Sequence, residues 1–225
     1  MDKFEIIKNF LLDESVSPEI RRERFDIAWD IRNHLDEIKK FLRQKVFEKV
    51  VEKLRNSEAF KDYEKVDNGF LRGDKRGNFT IYKKEWLLNE KPLLSYAIEM
   101  EKYNFYDIYY GIKKQNDKSP FIGKWTSADL PQELIDILKI LQNILENWDV
   151  NERWIFRKYF DSFYALKIDE YEFYIRLISS NTLQEGINNL ADYYVRKMVE
   201  LKELTERYLD EFVELFKKHQ KENSF

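Results

Sequence analysis

The stretch Ser95–Tyr110, SYAIEMEKYNFYDIYY, decides how this chain is read. It alternates apolar and polar residues, then does so again after a short polar break. Period-two alternation is the pattern of a strand with one buried face. An odd connection centred on Lys102-Tyr103-Asn104 opposes Met100 to Tyr106, Ile98 to Ile108 and Tyr96 to Tyr110. All six then share an apolar face. A two-residue connection would oppose Met100 to Asp107 and mix the faces, because a one-residue slip inverts every side chain. The odd register sets Glu99 opposite Asp107, with Glu101 beside them. Like charges at opposed positions repel, so something must compensate. Two readings are open. Glu99, Glu101 and Asp107 could hold Mg2+ or Mn2+ through oxygen ligands as a metal-dependent nuclease site. Or they form the wet face of an ordinary sheet, answered by Lys83 or Lys84 from the neighbouring strand. The second reading is taken, so no resident metal or cofactor is expected.

Working outward, glycines 69, 73 and 77 mark the clearest loop, GFLRGDKRG, and a candidate boundary. After it, NFTIYKKEW alternates like a strand. Before it the pattern is helical: a short helix near Asp2–Leu12, then Ser17-Pro18 as cap and first position. Phe25, Trp29, Leu35, Ile38, Leu42, Val46, Val50 and Leu54 follow near a period of 3.6. Helix returns from Asp129. Residues 163–178 suit either strand or helix. Thr182-Leu-Gln-Glu185 is a capping box. It opens a terminal helix in which Ile187, Tyr194, Leu201, Tyr208 and Leu215 recur every seven residues, a stripe suited to another long helix or to a homodimer. The expected fold is one helix-rich α+β domain over 1–225. It is helical over 1–66, an antiparallel β-meander over 70–114, and helical over 129–220.

Composition removes several chemistries. The 225 residues include no cysteine, so disulfides, thiolate nucleophiles and Cys-ligated zinc are excluded. Two histidines, His34 and His219, lie far apart in sequence with no obvious nucleophile. Charged residues make up 36%, yet 39 cations nearly balance 42 anions, so no global field attracts nucleic acid. No apolar run reaches the roughly 20 residues of a membrane helix. MDKFEIIKNF lacks a signal peptide's apolar core. A cytoplasmic protein without a membrane partner is expected. Abundant Lys and Glu suit a thermophile.

Local charge is more informative. From Arg72 to Lys84 five cations face one anion, with Phe70, Phe79 and Tyr82 interspersed. Cations meet phosphates and aromatic rings stack on bases. Arg72, Lys75, Arg76, Tyr82, Lys83 and Lys84 are therefore the candidate nucleic-acid contacts. The glycine spacing matches no phosphate-binding loop. Arg21–Arg24 adds cations where they oppose a helix dipole. Glu37-Ile-Lys39 and Glu200-Leu-Lys202 match the Glu-x-Lys half-motif of metal-dependent nucleases, but in expected helices.

IYYGIKK from Ile108, then a helix, then WDVNERWIFRKYF ending at Phe160, resembles the C-terminal region of some bacterial PD-(D/E)XK-superfamily nuclease-like proteins. There a Tyr-Tyr-Gly-Ile strand precedes a Trp-x5-Trp…Lys-Tyr segment and a long terminal helix. The resemblance covers the last half of the chain. It implies an accessory region of a nucleic-acid-handling or phage-defence protein. No strand-borne Asp…Glu-x-Lys lies upstream, so no catalytic residue carries over. The function expected is non-enzymatic binding. A nuclease and a self-associating structural protein are the alternatives.

Overall fold

A computed structural model describes residues 2–101, 108–114, 130–151, 153–160 and 171–222. The chain expected as one domain divides by its contacts into two compact units, residues 1–42 and 43–225.

The first unit is helical. Helix α1, Lys3–Leu11, is capped by Asp2, whose carboxylate accepts from the Phe4 amide at 3.2 Å. Asp13 and Ser15 turn the chain, and Ser17 receives the Ile20 amide at the start of α2, Pro18–Arg55. Arg24 donates to the Phe10 carbonyl at 2.8 Å and pairs with Asp13 at 3.3 Å, so one of the RRER cations has a local role. Phe25, Trp29, Leu35 and Ile38, half of the stripe expected to be buried, are exposed. Burial on α2 begins at Arg43, and Val46, Phe47, Val50, Val51 and Leu54 then join the core of the second unit.

That unit is α+β and helix-rich, as expected. Strands β1 (Glu64–Asn68) and β2 (Asn78–Tyr82) are followed by a small ribbon, β3 (Leu87–Leu88) and β4 (Lys91–Pro92). The ribbon turns through Asn89 and Glu90, both at positive φ, as a tight two-residue hairpin requires. Then come β5 (Leu94–Met100), β6 (Ile108–Lys114), α3 (Gln132–Ile144), β7 (Trp154–Tyr159), α4 (Tyr171–Ile178) and α5 (Leu183–Glu222). The main sheet is antiparallel, in the order β1-β2-β5-β6-β7. Two strands correct the sequence reading: β1 begins inside the segment read as helical over 1–66, and β7 lies inside that over 129–220. WIFRKY is short and aromatic, and it becomes a strand because β6 offers it an edge. The loop at 69–77 is a β1–β2 connection, not a boundary. Asp67 accepts from the Phe70 amide at 2.7 Å, and Gly69 adopts φ +81°.

The β5–β6 pairing keeps the expected parity but moves by two residues. Met100 faces Ile108, Ile98 faces Tyr110 and Tyr96 faces Ile112. The face assignments survive because two is the pleat's period. Glu99 consequently opposes Tyr109, not Asp107, which lies outside the described residues.

Helix α5 covers the apolar face and also packs on α3 and α4. Its first residues are capped as Thr182 predicts, Oγ1 receiving the Glu185 amide at 3.1 Å. Ile187, Tyr194 and Leu201 are buried, whereas Tyr208 and Leu215 are only half-buried; Leu209, Phe212 and Phe216 replace them. A helix of 3.6 residues per turn drifts about 20° per seven residues, so a strict seven-residue series rotates off the core. The buried part of this stripe is covered by its own chain.

Gly111 lies where β7 crosses closest to β6: a Cβ there would sit 2.0 Å from the Phe156 carbonyl oxygen. Gly111→Ala is expected to destabilise the second unit by about 1–3 kcal/mol, read from its urea midpoint; an unchanged midpoint would show that the strands separate freely.

Candidate nucleic-acid interface

The sheet's other face carries Ser95, Ala97 and Glu99 from β5, Tyr109, Gly111 and Lys113 from β6, and Trp154, Arg157 and Tyr159 from β7. It is not the wet acidic face expected. Glu99 is fully buried. Its Oε1 accepts from the Tyr109 hydroxyl at 2.8 Å and its Oε2 from the Lys113 ammonium at 2.5 Å. The compensating lysine comes from β6, not from Lys83 or Lys84. Parity explains this: Lys113, Gly111 and Tyr109 point the same way, and Lys113, which opposes Ser95, extends along that face to Glu99. Burial, and then the adjacent Glu99 charge, raise the Tyr109 phenol well above its ordinary value. Tyr109 therefore stays protonated and a donor.

Around this pair opens a cleft of about 730 Å³ lined by Lys75, Arg76, Glu99, Glu101, Tyr109, Asn151, Arg153, Trp154 and Arg157. Besides Glu99, Glu101 and Tyr109, three stretches line it. The glycine loop brings Lys75 and Arg76. The turn before β7 brings Asn151 and Arg153, held because Asn151 Oδ1 accepts the Arg153 and Trp154 amides at 2.9 and 3.1 Å. Strand β7 brings Trp154 and Arg157. The Arg157 guanidinium lies 4.8 Å from the Tyr109 ring centroid, and Tyr109 meets Trp154 edge to face. With Lys113 balancing Glu99, cations exceed carboxylates at the rim. Glu101 accepts from the Tyr159 hydroxyl at 2.7 Å. Trp154 Nε1 is buried with no hydrogen-bond partner among the described residues, and the buried Arg157 Nε lies 3.9 Å from an Asp149 carboxylate oxygen as an ion pair.

The residues singled out from sequence divide. Lys75 and Arg76 join Glu99 and Glu101 at the cleft. Arg72 turns back onto Asp74 at 2.8 Å, and Lys84 pairs with Glu64 at 3.3 Å. Tyr82 ends β2 opposite Glu64, half-buried. Phe70 and Phe79 are fully buried and cannot stack on bases. Lys83 is drawn to α5, 2.7 Å from Glu206 and 2.6 Å from Asp210. There Tyr63 donates to Glu206 at 2.5 Å and the Trp86 indole to Asp210 at 2.8 Å. Burial works to raise Glu206, but hydrogen bonds from Lys202, Lys83 and Tyr63 outweigh it and hold the carboxyl at about 2. This cluster fastens the end of β2 to α5.

Among the described residues no three of His, Cys, Asp and Glu converge as a metal site. Both Glu99 oxygens are engaged, and Asp107 lies outside the described residues. His34 rests on the Asp30 carbonyl and His219 on Glu133. Sequence reasoning missed Tyr109, Lys113, Arg153, Trp154 and Arg157 as a group. The parity of IYYGIKK carried the signal for the first two; the others needed β7. Among the described residues, no helix is long and apolar enough to cross a membrane. Comparison with family models, curated proteins and solved structures finds no match.

Removing Lys113 alone strands a buried carboxylate, so Lys113→Met is expected to cost about 3–5 kcal/mol in urea unfolding, and adding Glu99→Leu to restore most of it. Additive losses would show that the two groups do not act as a pair. The lowered Glu206 carboxyl binds its proton less tightly folded than unfolded. Its contribution is therefore complete above the ordinary value of 4.5 and lost as pH falls toward about 2. The gap in melting temperature between wild type and Glu206→Gln should be widest above pH 4.5 and narrow steadily below it.

Proposed function

We propose that the second unit is a non-enzymatic module that binds a single nucleic-acid strand in the cleft on the sheet's open face. One observation carries the reading: Lys75 and Arg76 from the glycine loop converge with Arg153 and Arg157 from the β7 segment on one cleft. Phosphate oxygens would pair with those cations at the rim of the cleft. The buried Glu99–Lys113 pair then acts as a scaffold: it holds Tyr109, on which Arg157 lies. Electrostatics within the cleft, and not net charge, would supply the attraction. The resemblance to accessory regions of PD-(D/E)XK-like proteins is in keeping with a role in nucleic-acid handling or phage defence.

Anisotropy of a labelled single-stranded oligonucleotide at two salt concentrations tests this. Binding should weaken with salt, each phosphate contact adding about 0.7 to the logarithmic slope. Lys75→Ala with Arg76→Ala should flatten that slope by roughly 1.4. Arg72→Ala, which removes a cation outside the cleft, should leave it unchanged. No binding at low salt, or equal loss from both variants, would overturn the proposal.

A further inference from the structure

The first unit presents a different problem. Among its described residues none is buried. Among the described residues, 13 of the 20 exposed large hydrophobic side chains fall between Phe4 and Phe41. Helices draw most of their stability from packing an apolar face, and patches of this size on a lone surface mark an interface.

The arrangement around α2 identifies the occupant. With about 100° between successive residues, Ile20, Ile27, Ile31, Leu35, Ile38 and Leu42 fall on one face. On one flank of that face lie Glu19, Glu23, Asp26, Asp30 and Glu37, with no cation among them. On the other lie Arg21, Arg32 and Lys39, with one carboxylate, Asp36, at its outer edge. Two copies of such a helix can pack face to face in two ways. Antiparallel, acidic flank meets acidic flank. Parallel, the acidic flank of each copy meets the basic flank of the other, at nearly equal height: Glu19 and Glu23 beside Arg21, Asp30 beside Arg32, Glu37 beside Lys39. Only the parallel arrangement is complementary. It is also a closed two-fold arrangement. An anionic lipid surface would attract one flank and repel the other, so it fits the pattern less well.

We infer that residues 18–42 form a self-association helix whose apolar face is covered by the same helix of a second copy, in parallel and in register. The inference is independent of the cleft.

Sedimentation equilibrium of the full chain should give a dimer at micromolar concentration. Ile31→Glu with Ile38→Glu should give a monomer whose second unit melts unchanged by near-ultraviolet circular dichroism. Asp30→Lys with Glu37→Lys should raise the dissociation constant about tenfold or more by setting cation against cation. Adding Arg32→Glu and Lys39→Glu should restore it, since the flanks are then exchanged but still complementary. A wild-type monomer under these conditions would overturn the inference. So would a monomer that sediments with phosphatidylglycerol vesicles, or a charge swap that fails to rescue.

Discussion

A carboxylate with no access to water organises the second unit. Glu99 is on the first strand of a buried β5–β6 pair, and an isolated charge there would be untenable. Lys113 and Tyr109 make it possible, and both come from β6, in the register that the apolar face also demands. The two faces of the sheet thus vote for one alignment. A shift of one residue would expose Ile98 and Ile108. A shift of two, back to the alignment read from sequence, would keep the faces but part Glu99 from Tyr109. Such an ion pair adds little net stability, so its contribution here is one of alignment. The cleft follows from it, because Arg157 rests on the ring of the tyrosine that Glu99 holds.

Elsewhere the same economy of placement recurs with aromatic residues. Phe47 on α2 meets Phe70 from the glycine loop and Tyr194 on α5, at 5.4 and 5.1 Å between centroids. Phe160, just beyond β7, stacks on Tyr110 at 4.3 Å and meets Tyr194 edge to face. Phe70 is the anchor of a loop that looks like a mobile basic tip in the sequence. It explains why Lys75 and Arg76 are delivered to a defined place: the chain on one side of them is pinned in the core, and the Gly77 carbonyl on the other receives the Met100 amide at 3.0 Å.

Much of the fold was legible. Alternation in Phe79–Tyr82, Ser95–Met100 and Phe105–Ile112 identified the three central strands, and the caps at Ser17 and Thr182 located both long helices. What escaped had physical causes. Parity is written in side-chain chemistry, but the exact partner depends on loop length, and the seven residues between Met100 and Ile108 were read as fewer. Residues 154–159 carry no alternation that marks them, since Trp154, Ile155 and Phe156 are consecutively buried. Without β7 the cleft could not be assembled, so Arg153 and Arg157 went unremarked. Lys83 shows the converse error. Its neighbours in sequence suggested a basic patch, while its partners, Glu206 and Asp210, lie more than a hundred positions away.

The helix from Pro18 to Arg55 has one hydrogen-bond ladder and two kinds of surroundings. Starting a helix is the unfavourable step; lengthening it is nearly free. The packed turns between Val46 and Leu54 therefore serve as a seed from which the remaining turns extend toward Pro18. Amide protection along α2 follows as a gradient, highest near Phe47 and falling toward the N-terminus, and the steepness of that decline measures how far the seed alone can carry the helix.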